Sequence, residues 1–232
     1  LTSLTNLIAL DGKTTGTVNA DSLTTISETF ANLTTVYTSA GISELGNEAV
    51  TITDTQSAAN VNTFLAETSG VVTATVTAGT AAALNSGLAA VEVNALTLKI
   101  TDTSLNSAAL NNLAGLDGKT SVAVDASLVT DISGSSTEVA AAYATPTTGI
   151  TGLGNETVSI TGTDATVANV AAINTATNGL VTVSEVDVTG ATFSLAGLGD
   201  LTGITGLAKI DASGTGVTAM TITAAELFAA ND

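Results

Sequence analysis

The side chains able to do chemistry in this 232-residue chain are almost all carboxylates and hydroxyls. Histidine, cysteine and arginine are absent, and the cations are Lys13, Lys99, Lys119 and Lys209. Serine and threonine therefore have no imidazole to activate them, and no thiolate is present, so nucleophilic catalysis lacks its usual partners. Four aspartates are the candidate metal ligands. Asp54 and Asp102 stand at equivalent strand ends two coils apart, and Asp125 and Asp211 fall one position earlier in theirs. Calcium takes about six to eight oxygens, which Asp, Thr hydroxyls and turn carbonyls could supply. The competing role for an aspartate at a strand-to-helix corner is to cap the helix. Glu185 and Asp187 share a strand face about 7 Å apart by strand geometry, a spacing that two solvated surface charges would also show. Gly12-Lys13-Thr14 and Gly118-Lys119-Thr120 imitate the end of a phosphate-binding loop. Leu7 and Leu113 stand where that loop needs glycine, and the strand follows the motif instead of preceding it. Both copies read as Asp-Gly turns that end a helix. No catalytic residue is assigned, and the chain is expected not to be an enzyme.

What would position these groups is a short repeated unit, a strand followed by a small-residue helix. The clearest copy is Ala49-Val50-Thr51-Ile52-Thr53-Asp54. Aligning the central apolar residue gives Val18, Ile52, Val76, Ile100, Val124, Ile160, Val188, Ile210 and Ile222. The basic spacing is about 24 residues, within the range of solenoid coils. Residues two positions earlier are mostly apolar, and the residue after the pivot is always polar. Side chains alternate along a strand, so one face is predicted buried and the other wet. Similarity at a fixed period of this length predicts stacked coils that bury their faces on one another. The expected fold is an α/β solenoid, with a parallel sheet on one side, short helices or turns on the other, and about 24 residues per coil. The pairs Thr51/Thr53, Thr75/Thr77 and Thr221/Thr223 would then stand two by two on one flat face, interrupted by Lys99, Asp187 and Lys209.

In chain order, leucines at 1, 4, 7 and 10 precede a turn at Asp11-Gly12. Helices are predicted through Phe30, Leu33 and Tyr37, then through Val61, Phe64 and Leu65 with Asp54 as a cap, then over 80–90. Strands are predicted over 71–77 and 96–102. The sequence then restarts. Leu110 to Thr120 repeats Leu4 to Thr14 at an offset of 106, and Tyr143 matches Tyr37. Leu153-Gly154-Asn155-Glu156 matches Leu45-Gly46-Asn47-Glu48 at an offset of 108, so two residues are inserted near Pro146. Residues 1–232 thus read as a single elongated repeat domain, 1–105 as a first higher-order repeat and 106–232 as a second that diverges toward its end. Ser135-Ser136-Thr137-Glu138 has capping-box spacing, and Asp164 is expected to cap a helix through Val167 and Val170. The later leucines and isoleucines, from Leu195 to Ile210, recur every third residue and suggest tight, turn-rich backs.

With a net charge of −17, the chain would repel phosphate backbones, so nucleic acid is excluded as a partner. No apolar run is long enough to span a membrane. Leucine-every-third spacing ahead of a short strand resembles leucine-rich repeats at a distance. Leu116-Asp117-Gly118-Lys119-Thr120, Gly149-Ile150-Thr151-Gly152-Leu153-Gly154-Asn155-Glu156 and Val50-Thr51-Ile52-Thr53-Asp54 more closely resemble the Thr/Ala/Val-rich tandem repeats of very large cell-surface and secreted proteins of marine cyanobacteria and related bacteria. That resemblance implies surface display, often beside calcium-binding nonapeptide repeats, none of which occurs in this sequence. The expected function is a structural repeat segment of an extracellular or cell-surface protein. It would act as filament, surface-layer or adhesin scaffold by stacking end to end with its own kind or within a longer chain. The alternatives are an ice- or crystal-surface-binding Thr-x-Thr solenoid, as ice-binding solenoids use such arrays, and a calcium-stabilised adhesin module. No other cofactor is expected.

Overall fold

A computed structural model describes residues 4–144, 149–162, 165–187, 193–194, 204–206, 209–211 and 220–221. The pivots Val188 and Ile222, the insertion near Pro146, the cap assigned to Asp164 and most of the 195–210 leucine pattern lie outside these residues.

In chain order the elements are α1 (Leu4–Asp11), β1 (Val18–Asn19), β2 (Thr25–Glu28), α2 (Phe30–Tyr37), β3 (Ile42–Ser43), β4 (Ala49–Gln56), α3 (Ala58–Glu67), β5 (Val72–Val76), α4 (Ala81–Gly87) and β6 (Ala95–Thr97). There follow β7 (Ser104–Leu105), α5 (Ser107–Asp117), β8 (Val124–Asp125), β9 (Asp131–Gly134), α6 (Ser136–Tyr143), β10 (Ile150–Thr151), β11 (Thr157–Ile160) and α7 (Val167–Ala176). Short strands complete the order: β12 (Val181–Val183), β13 (Glu185–Asp187), β14 (Phe193–Ser194), β15 (Ile204–Thr205), β16 (Lys209–Asp211) and β17 (Met220–Thr221). Contacts gather the chain into two compact units, Leu1–Thr101 with Gly115–Asp125, and Asp102–Ala114 with Ala126–Asp232.

The first unit is built on a parallel sheet in the order β2-β4-β5-β6. Ile26 pairs with Val50, Val50 with Val72, and Ala74 with Leu96. Each of these is buried, and burying one Val, Leu or Ile side chain contributes about 1.5–3 kcal/mol. Their neighbours Ser27, Thr73 and Thr97 are exposed, as period-two alternation requires. In the second unit the parallel order is β15-β12-β11-β9-β7, with Ile132, Val158 and Val181 in register and buried. The pivots Ile52, Ile100, Val124 and Ile160 are buried and Thr53, Thr101 and Thr161 exposed. The fold is thus mixed α/β with parallel sheets.

The register corrects the alignment of pivots. Ile52 pairs with Ala74, and Val76 pairs with Gln56, with an irregularity in the ladder between Ile52 and Gln56. The extra length of β4 absorbs the difference, so β4 and β5 begin pairing at a shorter offset than the aligned pivots imply. Strands β2 and β9 also lie away from the aligned pivots. Each has a single large inward apolar residue, Ile26 or Ile132, too little to mark a strand by periodicity.

Hydroxyls start the helices. Thr29, Ser57, Thr80, Ser135 and Thr166 are extended N-caps whose side chains accept the amide three residues on. Ser135 forms the full capping box with Glu138. The cap of α3 is therefore Ser57 and not Asp54, and that of α7 is Thr166. α1 is a true helix, in which spacing of three drifts off one face at 3.6 residues per turn. Leu4 and Leu7 are buried accordingly, while Leu10 is 42% exposed.

Buried side chains also close ladders where strands end. Asn94 accepts the Val72 amide at 2.9 Å. The Thr120 hydroxyl accepts the Leu96 amide at 2.9 Å and donates to the Leu96 carbonyl at 2.7 Å. Thr120→Val keeps the shape and leaves both backbone groups unmet in the interior, a loss of about 3 kcal/mol. Urea unfolding should show a lowered midpoint with an unchanged slope; an unaltered midpoint would mean that water reaches these groups.

Candidate functional site

Two of the four candidate metal ligands have structural partners of their own. Asp54 accepts the Phe30 amide at 2.8 Å with one oxygen and the Gln56 side-chain amide at 2.6 Å with the other. It thereby caps a helix of the neighbouring strand-helix unit, through space and not through sequence. Asp125 forms an ion pair with Lys99 at 2.6 Å. Asp102 is half-buried and belongs to the other compact unit. Asp211 falls on β16, and its side chain and that of Asp187 lie outside the described residues. Among the described residues no three acidic, histidine or cysteine side chains are grouped as a metal ion would require.

The two Gly-Lys-Thr copies do different work. Lys119 donates to the Leu88 carbonyl at 2.7 Å and Thr120 ties down Leu96, whereas Thr14 holds only the Gly16 amide in an exposed turn.

The most distinctive polar groups are two buried glutamates that in the sequence serve only to mark the repeat. Glu48 is 0% and Glu156 1% exposed. Gly46 and Gly154 precede them with φ of 124° and 136°, a backbone that disfavours any side chain. That turn aims amides at the carboxylate. The Gly46 amide donates to both Glu48 oxygens at 3.1 and 2.9 Å, and the Asn47 amide to one at 3.1 Å. Gly154 repeats the arrangement on Glu156 at 2.9 and 2.8 Å. From the preceding helix the Tyr37 hydroxyl donates to Glu48, and Tyr143 donates to Glu156 at 2.8 Å.

The backbone of each glutamate is held as well. Thr68 donates to the Glu48 carbonyl at 2.6 Å and Thr177 to that of Glu156 at 2.8 Å. Each threonine ends its helix and accepts the amide of a glycine two residues on, Gly70 or Gly179. Those glycines lie against the same glutamate carbonyls so closely that a Cβ would collide with backbone. In the first unit Tyr37 also packs edge-on against Phe64, 5.3 Å between centroids, and Phe64 against Phe30. In the second, Ile173 takes the position of Phe64, so the polar construction survives a change in its apolar surroundings.

Burial first, then the hydrogen bond and negative charge of Glu48, push the Tyr37 phenol well above its ordinary range; Glu156 acts likewise on Tyr143. The carboxylates face amides and phenols with no oxygen turned to solvent. Such an arrangement holds a turn. The signal for it in the sequence is the recurrence of Tyr with Leu-Gly-Asn-Glu, since both tyrosines of the chain belong to the motif.

No protein-family model, curated protein or solved structure matches the chain.

Because the fold favours the protonated phenols, the stability they confer is fully present below the unfolded tyrosine pKa of about 10 and is lost as pH rises beyond it. Both tyrosines should stay unionised in the folded protein at about pH 10–11, and tyrosinate absorbance should then appear together with loss of circular dichroism. Smooth titration of either phenol with the fold intact would refute the closed arrangement. Glu48→Gln should release one of the two phenols and lower stability by about 2 kcal/mol.

Proposed function

We propose that the chain is a structural repeat segment of an extracellular or cell-surface protein, a solenoid with coils of about 24 residues that works through length and stacking. The observation that carries this reading is the twofold use of one closed construction, Tyr-Gly-Glu-Thr-Gly, in two units. Its buried polar groups are committed to turn geometry at each occurrence, which is what a duplicated spacer needs. The parallel pairing supports stacking, since every parallel sheet ends in strands with an unmatched edge that another strand can extend. A charge of −17 with four lysines suits a surface exposed to solvent and repels neighbouring copies side by side.

Continuation by its own kind is the partner this reading requires, head to tail or within a longer chain. Sizing and electron microscopy of the 232-residue chain over a range of concentrations test it. Linear assemblies that lengthen with concentration are expected, and added calcium should draw them together laterally by screening their acidic sides. A monodisperse monomer under all these conditions would overturn self-assembly of the isolated segment.

A further inference from the structure

The face of the first unit's sheet turned away from its core carries neutral hydroxyls in short rows, in register at Thr51-Thr73 and Thr75-Thr97, with Thr53 and Thr55 at the place where the β4–β5 ladder shifts. Outward positions on β4 are Ala49, Thr51, Thr53 and Thr55; on β5 they are Thr73 and Thr75, and on β6 Ala95 and Thr97. Thr53, Thr55, Thr73, Thr75 and Thr97 are exposed. The register places Thr51 beside Thr73, Thr73 beside Ala95, and Thr75 beside Thr97. Neighbours across strands are then about 4.8 Å apart and neighbours along a strand about 6.7 Å apart. No charged residue occupies any of these positions. Lys99, two residues beyond Thr97, is matched by Asp125 at 2.6 Å.

Three features point to a lattice as the ligand. β-Branched threonine has few rotamers, so methyl and hydroxyl are held ready with little entropy left to lose. Among the described residues the hydroxyls of Thr51, Thr53, Thr73, Thr75 and Thr97 make no hydrogen bond within the protein, whereas Thr77 donates to the Gln56 carbonyl. The second unit differs: Thr157 and Thr130 are bound to Asp131, and Thr182 to Thr205. A charged mineral would want carboxylates on the face, and a sugar polymer would want aromatic rings to stack on. This face has neither. Neutral, repeated and able both to donate and to accept, these hydroxyls suit hydrogen bonding to ordered water.

We propose that the outward face of β4, β5 and β6 binds ice. The test uses the full 232-residue chain and single ice crystals. The unaltered protein should facet growing crystals, open a gap between melting and freezing points, and slow recrystallisation. Thr75→Arg, at the centre of this face, should abolish all three, while Ser159→Arg on the second unit's sheet should leave them intact. Circular dichroism and the thermal midpoint check that each variant is folded, and Thr97→Arg replaces Thr75→Arg if that variant is not. Round, unshaped crystals with the unaltered protein would overturn the proposal. So would a folded Thr75→Arg or Thr97→Arg that shapes ice as before, or equal loss from Ser159→Arg.

Discussion

A carboxylate sealed from water destabilises a fold unless its oxygens are met by donors. At Glu48 and Glu156 the donors are the amides of the turn that delivers the glutamate and the phenol of the helix before it. The arrangement depends on parts far apart in the chain. Helix α2 or α6 supplies tyrosine, the turn supplies a glycine at positive φ, and the next helix ends in a threonine that grips the glutamate carbonyl. Remove the carboxylate of Glu48 and two turn amides and a phenol lose their partner together. The turn stands directly before β4 and β11, which begin at the residue after each glutamate.

The same logic runs through the rest of the chain. With six aromatic residues in the chain, the buried core is assembled mainly from Val, Ile, Leu and Ala. Side-chain hydroxyls and amides close the backbone groups left at the ends of its elements. Asn94 completes β5, Thr120 completes β6, and five hydroxyl caps open the helices. Serine and threonine are abundant because short strands and short helices have many ends, and each end leaves donors to satisfy. Even Asp54 is recruited to an end, that of α2.

The two units show which parts of this scheme tolerate change. The glutamate, tyrosine, threonine and both glycines recur in each, while Phe64 becomes Ile173, Thr51 becomes Ser159, and Thr25 becomes Asp131 with its hydroxyl partners. Those hydroxyls hold the Asp131 carboxyl below its usual range, Thr157 foremost. A position facing solvent can change without disturbing the ladder behind it, because the backbone pairing takes no account of what stands on the outer face.

Period-two alternation, the capping box at Ser135 and the tandem duplication were legible in the sequence, since each depends on residues close together or on identity between copies. They yielded parallel strands, the helices at Phe30, Val61 and Ser136, and the buried pivots. Tertiary structure decided the rest. Whether Ile52 meets Ala74 or Val76 turns on an irregularity in β4 that has no marker of its own. Asp54 looks like the cap of the helix that follows it, yet distance in space hands it to α2. In the sequence Glu48 and Glu156 do no more than mark the repeat, because the amides and phenol that make their burial tolerable come together only when helix, turn and next helix close around them.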